Sequence, residues 1–215
     1  MALAVLFQNQ NMLVVDKPSG QSVHNVEDRE NLLIQVKREL GFQDLYPVHR
    51  LDKETSGVQI LALNSKAARE LAETFQSRAL KKIYHGILRG KVAEAEGVWK
   101  DPLSDKAEGR RAPAGLARDR VPCETRYTVI AGNRYFTHCR FNLITGRQHQ
   151  IRKHCALHRH ALAGDARYGD AKYNSRMREL HAIDRLLLHC AEIEIDELKF
   201  ISPVPDWQKL TSLIE

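Results

Sequence analysis

Residues 49–57, His-Arg-Leu-Asp-Lys-Glu-Thr-Ser-Gly, hold one carboxylate, Asp52, between a basic pair and a small polar turn. The apolar run 58–63 follows at strand length. Asp52 therefore sits on a loop that feeds a buried strand, a position that suits a presented catalytic group. A carboxylate there can serve as a nucleophile or as a general base. On composition alone, the commoner fate of such a residue is a solvated turn in which it pairs with Arg50 or Lys53. Tyr84, in the strand-like stretch 81–90, offers an aromatic face, although a half-buried packing role is the usual one for a strand tyrosine. The stretch 145–154, Thr-Gly-Arg-Gln-His-Gln-Ile-Arg-Lys-His, is predicted to start a helix capped by Thr145. Arg147 and His149 would then lie in its first turn, with free N–H groups available to a phosphate. His154 and His158 stand four residues apart with Cys155 near, which raises a metal site. They lack a second pair at ligand spacing, and zinc wants three or four ligands, so no functional metal is expected.

The elements that must position these groups follow from periodicity. Stretches 3–7 and 12–15 read as a hairpin around the polar turn 8–11. Residues 16–20, Asp-Lys-Pro-Ser-Gly, form a turn that continues through Val23 and His24. Leu32, Leu33, Val36 and Leu40 mark one face of a helix, with Gly41 as its C-terminal cap. Asn64 or Ser65 caps a second helix striped by Ala68, Leu71, Ala72 and Phe75. Strands 123–130 and 135–143 flank a turn at 131–133. A late strand spans 186–195, and a closing helix spans 207–213. Between them, 97–122 reads as a long loop with six basic and four acidic residues.

The 215 residues, 43% hydrophobic and 28% charged, suit one well-cored domain over 1–215, built as two subdomains. No apolar run approaches the roughly 18 residues of a membrane span, so no membrane partner is expected. The opening residues 1–7 lack a basic n-region and read as a first strand. Cys123, Cys139, Cys155 and Cys190 form no CxxC pair, which fits a reducing cytoplasm. Net charge is +6, but residues 125–164 contain no Asp or Glu and carry Arg126, Arg134, Arg140, Arg147, Arg152, Lys153 and Arg159. Such a one-sided window points to a polyanion, with nucleic acid first. A basic face on an ordinary enzyme explains it equally well.

The motif His-Arg-Leu-Asp-x-x-Thr-Ser-Gly resembles the signature of RluA-type RNA pseudouridine synthases. Three further stretches are similar to elements of that family in the same order. They are Asp-Lys-Pro-x-Gly-x-x-Val-His at 16–24, Lys-x-Tyr at 82–84, and Thr-Gly-Arg-x-His-Gln-Ile-Arg-x-His at 145–154. Trp99 to Leu103, Gly164-Asp165 and Tyr168-Gly169 also match, whereas 108–122 departs from the family pattern. The resemblance implies an α+β fold: a mixed, mostly antiparallel curved sheet with flanking helices and a central basic cleft. An extra N-terminal RNA-binding domain of the S4 type is not expected, since the first motif begins so early.

The resemblance also implies the chemistry. Uridine becomes pseudouridine when the C1′–N1 bond breaks, the base turns, and C1′ joins C5. Nothing is added or oxidised, so no cofactor is expected. Asp52 would act in ionised form at C1′, at C6, or at C2′, and the sequence does not choose among these. Arg152 would face Asp52 and favour its charged form, and Tyr84 would stack on the base. Arg50 would enter the gap left by the flipped uridine. Arg147, Lys153 and Lys82 would contact phosphates. His49, Thr55, His149, Ile151 and Leu188 complete the expected substrate-binding set. The expected partner is structured tRNA or rRNA, bound by a cytoplasmic monomer. The competing reading is an RNA-binding or RNA-folding module without turnover, which the basic window supports but Asp52 does not.

Overall fold

The computed structural model describes residues 2–76 and 80–212. In chain order the strands and helices begin with β1 (Ala4–Gln8), β2 (Met12–Lys17), α1 (Leu32–Leu40), β3 (Tyr46–Pro47), β4 (Ser56–Ala62) and α2 (Ser65–Gln76). Next come β5 (Lys81–Arg89), β6 (Glu96–Trp99), β7 (Leu103–Ser104), β8 (Arg120–Val121), β9 (Thr125–Gly132) and β10 (Phe136–Leu143). The last are α3 (Gln150–Leu157), α4 (Ala171–His181), β11 (Leu188–Ile195), β12 (Leu198–Ile201) and α5 (Gln208–Thr211). The class is α+β with mostly antiparallel strands, as expected. The chain divides into two compact units, Met1–Lys82 with Cys190–Pro203, and Ile83–His189 with Val204–Glu215.

In the first unit the strand order is β1-β2-β4-β11, with β12 on β11 and β3 on β4. The β1–β2 turn closes because Asn9 Oδ1 accepts from the N–H groups of Asn11 and Met12, both at 2.8 Å. Leu13, Val15 and Leu61 of the strands bury against Leu32 and Val36 of α1 and against Val23. Asn31 caps α1 by accepting from Ile34 N–H at 3.1 Å, and Gly41 ends it at φ 78°. For α2 it is Asn64, of the two residues considered, that caps, accepting from Ala67 N–H at 2.8 Å. Gly57, the second residue of β4, sits at φ 112°, where an added Cβ would collide with the backbone carbonyl of Cys190. The Gly of the Thr-Ser-Gly turn is thus required by the close approach of β11.

In the second unit the order is β5-β10-β9-β6. The β9–β10 turn is held by Asn133 Oδ1, which accepts from Tyr135 and Phe136 N–H. Ile87, Phe136, Ala163, Met177, Ile183, Leu187 and Trp207 form one core. The sequence did not indicate α4, which carries almost no apolar stripe and buries only Met177. Asp170 starts it by accepting from Tyr173 N–H at 2.8 Å. The stretch 97–122 is not the featureless loop expected. It contains β6, the β7–β8 hairpin and a 3-10 turn at Ala117–Asp119, with a small core of Leu103, Ala114 and Cys123 against Leu157. Leu213, expected in the closing helix, lies outside the described residues.

Candidate active site

Asp52 is half-buried on a turn closed by Thr55 N–H donating to its carbonyl at 3.1 Å. Buried Gln59 of β4 brackets the residues before it. Gln59 Oε1 accepts from Leu51 N–H at 3.1 Å, and its Nε2 donates to the carbonyl of His49 at 2.8 Å. The residues after Asp52 are held by the Asp16–His24 turn. Gly20 N–H and the ammonium of Lys17 both donate to the Lys53 carbonyl, at 2.8 and 3.2 Å, and Ser19 Oγ donates to that of Glu54. The Lys53 side chain pairs with Asp28 at 2.9 Å. Asp52 is therefore presented on backbone fixed from both sides, which limits the freedom a reactive side chain must lose.

Sequence reasoning gave Lys17 and Gln59 no role. Lys17 is fully buried, and its ammonium also donates to the carbonyls of Pro18 and Gln21. Burial drives its pKa down to about 8, while the charges of Asp52, Glu54 and Asp16 pull it back up. A cation thus lies under the Asp52 turn within the first unit. The Asp-Lys-Pro motif was its signal. The signal for Gln59 was a lone amide inside an apolar run.

His49 accepts from Ile60 N–H at Nε2, 3.0 Å away, and stacks on Phe75 with ring centroids 4.9 Å apart. Burial, with a smaller push from Lys82, lowers its pKa to about 3, so the ring is a neutral acceptor and part of the scaffold. Burial likewise lowers the pKa of Lys82, opposed by Cys190. Thr55 is buried, and its Oγ1 has no hydrogen-bond partner among the described residues. Arg50 is exposed, with Nη1 3.3 Å from His24 Nε2.

In the second unit Tyr84 is buried on β5 and lies opposite Phe141 of β10, so the two share a face with Tyr127 of β9. Arg140 lies opposite His85 and Thr128, and Arg126 opposite Asn142. Strand alternation therefore puts Arg126 and Arg140 on the sheet face away from Tyr84. Leu188 is buried at the start of β11.

The third motif differs most from expectation. Its helix α3 begins at Gln150, and the residue before it, His149, is left-handed at φ 56°. Thr145 is not the cap; its Oγ1 accepts from Glu124 N–H and donates to Gln150 Oε1. The N–H groups expected to await a phosphate are occupied. Arg147 N–H donates to Gln150 Oε1 and Gln148 N–H to Asp105 Oδ1, while the Arg147 side chain pairs with Asp105 at 2.8 Å. Lys153, also expected on a phosphate, is fully buried and donates to the carbonyls of Ser104 and Lys106 at 2.8 and 2.7 Å. The cause is the β7–β8 arm, whose backbone needs donors that its own short strands cannot supply.

Arg152 is buried and makes a two-pronged pair with Asp165, at 2.8 and 2.9 Å. Burial raises the Asp165 pKa, but Arg152 and the N–H groups of Tyr168 and Arg167 outweigh it and hold the carboxyl below its ordinary value. Tyr168 links the group, its hydroxyl 2.9 Å from His149 Nδ1 and its ring 5.4 Å from the Arg152 guanidinium. Ile151 is buried in the same helix. His154 bonds Thr125 and the Asp101 carbonyl, and His158 bonds the Asp101 carboxylate.

The basic window is thus largely spent within the fold. Arg126 pairs with Glu124 at 2.7 Å, and Arg134 lies over the Tyr135 ring at 4.6 Å. Arg147, Arg152 and Lys153 are engaged as described. Among the described residues, Arg140 and Arg159 carry no ion pair.

Comparison with known proteins gives a consistent picture. A family described as RNA pseudouridylate synthase matches residues 11–157. A protein named tRNA pseudouridine synthase C from Vibrio vulnificus is 33% identical over 94% of this chain and 86% of its own length. A protein of the same name from Pectobacterium carotovorum is 34% identical over 90% of this chain, which spans 55% of that longer protein. Among solved structures, human RNA Pseudouridylate Synthase Domain Containing 1 superposes with a TM-score of 0.79 over 97% of this chain and 86% of its own, at 23% identity.

Proposed function

Because the chain belongs to the RNA pseudouridylate synthase family, we propose that Asp52 is the group that carries its isomerisation of uridine to pseudouridine, acting on a transfer RNA. One observation supports the assignment of Asp52 above the rest: it is the half-buried carboxylate of a turn whose flanking residues are tied down by Gln59, Lys17, Gly20 and Ser19. Simple phosphate binding has no use for a carboxylate so held.

The reaction asks little else of the protein. The base must leave the stack, turn, and be rejoined through C5, which costs a few kcal/mol of unstacking in a loop or bulge. Tyr84 stacks on the extruded base, Arg50 fills its place in the RNA, and Lys82 meets a phosphate. Arg152 acts as the positively charged member of the set, with Asp165 fixing its orientation. His49, Thr55, His149, Ile151 and Leu188 shape the walls around the base, and Arg147 reaches RNA after exchange of its exposed pair with Asp105. Transfer RNA is proposed because the similar bacterial proteins carry tRNA in their names. A monomer in a reducing cytoplasm suits four buried cysteines. Among the described residues no helix is long and apolar enough to cross a membrane.

The test is Asp52→Asn. The variant should bind tRNA within a few-fold of wild type and form no pseudouridine, measured by nucleotide-resolution mapping of the RNA after incubation. Equal product from the variant would remove Asp52 from the chemistry.

A further inference from the structure

His24 ends the Asp16–His24 turn and, on sequence, only helps to close it. In the structure its Nε2 is 3.3 Å from Nη1 of Arg50. A guanidinium can only donate. A hydrogen bond between them therefore uses His24 Nε2 as its acceptor.

Both side chains are exposed, so the bond contributes little to folding. Its effect is on where Arg50 points. The backbones beneath the two ends are anchored independently. Leu32 and Leu33 N–H donate to the carbonyls of Ser22 and Val23, at 2.9 and 3.2 Å, next to His24. Gln59 holds His49 and Leu51, on either side of Arg50. Two fixed backbones with one bond between their side chains restrict a long, rotamer-rich arginine to a narrow set of positions. Asp28, four residues beyond His24, is paired with Lys53. A single imidazole nitrogen also orients the guanidinium without the strong, two-pronged grip of a carboxylate, so it can release Arg50 when RNA arrives.

We propose that His24 is a positioning residue for Arg50, setting the rotamer from which the guanidinium enters the RNA stack as the target uridine leaves. The inference rests on the pseudouridine synthase reading and on the role assigned there to Arg50.

The experiment uses a tRNA stem-loop transcript that the wild-type chain modifies. A second version carries an abasic site next to the target uridine, so that one stacking partner is removed. Single-turnover rates at saturating RNA are compared for wild type, His24→Ala and His24→Gln, with RNA affinity measured separately. His24→Ala should slow the reaction on the intact transcript about five-fold, the size expected for one ordinary hydrogen bond. Affinity should be unchanged. The glutamine oxygen can accept from Arg50, so His24→Gln should restore most of the rate. The deficit should shrink on the abasic transcript, and His24→Ala should add nothing in an Arg50→Ala background. An undiminished rate for His24→Ala, or an equal deficit on both transcripts, overturns the positioning role. A wild-type chain that modifies no tRNA overturns the synthase reading on tRNA, and the His24 role with it.

Discussion

The ammonium of Lys17, fully buried, donates to the carbonyl of Lys53 at 3.2 Å, one residue beyond Asp52. The first motif of the chain and the Asp52 turn are therefore one mechanical unit, joined by a buried charge. A buried cation is tolerated here because three carbonyls accept from it.

That arrangement predicts a pH signature in stability. The folded pKa of Lys17 is about 8, below the ordinary lysine value of 10.5. Between these values the unfolded chain binds more protons, so stability rises with pH across that window and is lost as pH falls through about 8. Lys17→Met should abolish this rise. It should also cost about 2–3 kcal/mol at pH 9 by leaving buried carbonyls unmatched. Urea unfolding of both proteins at pH 7.5, 9 and 10.5 checks it; parallel curves would sink the idea.

Lys153 yields a prediction that separates a structural cation from an RNA contact. Lys153→Met removes the donor to the Ser104 and Lys106 carbonyls. We expect a loss of about 2–3 kcal/mol in stability, with tRNA affinity and its salt dependence unchanged. A phosphate contact would instead lower the slope of log affinity against log salt by about 0.7 to 0.9. Denaturant titration and binding at several salt concentrations distinguish the two.

His49 should remain uncharged across the physiological range. Its folded pKa is depressed to about 3 from 6.5, so its contribution is complete above 6.5 and fades as pH falls towards 3. The stability difference between wild type and His49→Leu should therefore grow from pH 3 to 6.5 and then level off. The ring proton resonances should not titrate between pH 5 and 8. An imidazole titrating near 6.5 would show that the ring is not held as the Ile60 acceptor.

Much of the fold and the identity of the candidate site lay open to reading along the chain. The β1–β2 and β9–β10 hairpins, α1 with its Gly41 cap, α2, and the Asp52 turn each depend on residues a few positions apart, and so does each of the motifs whose order pointed to the family. What escaped was set by partners far away in the chain. Lys17 meets Lys53 across 36 positions and Lys153 meets Ser104 across 49, so neither burial nor partner was visible locally. Helix α4 has too few apolar residues to show a periodic stripe, and is held by its Asp170 cap and the single buried Met177. A count of positive charges cannot tell a cation bound by Asp105, Asp165 or a backbone carbonyl from one left for RNA. Residue type and spacing determined the chemistry on offer. Only the folded chain decided which charges are consumed in holding it together, because that depends on which oxygens burial brings to them.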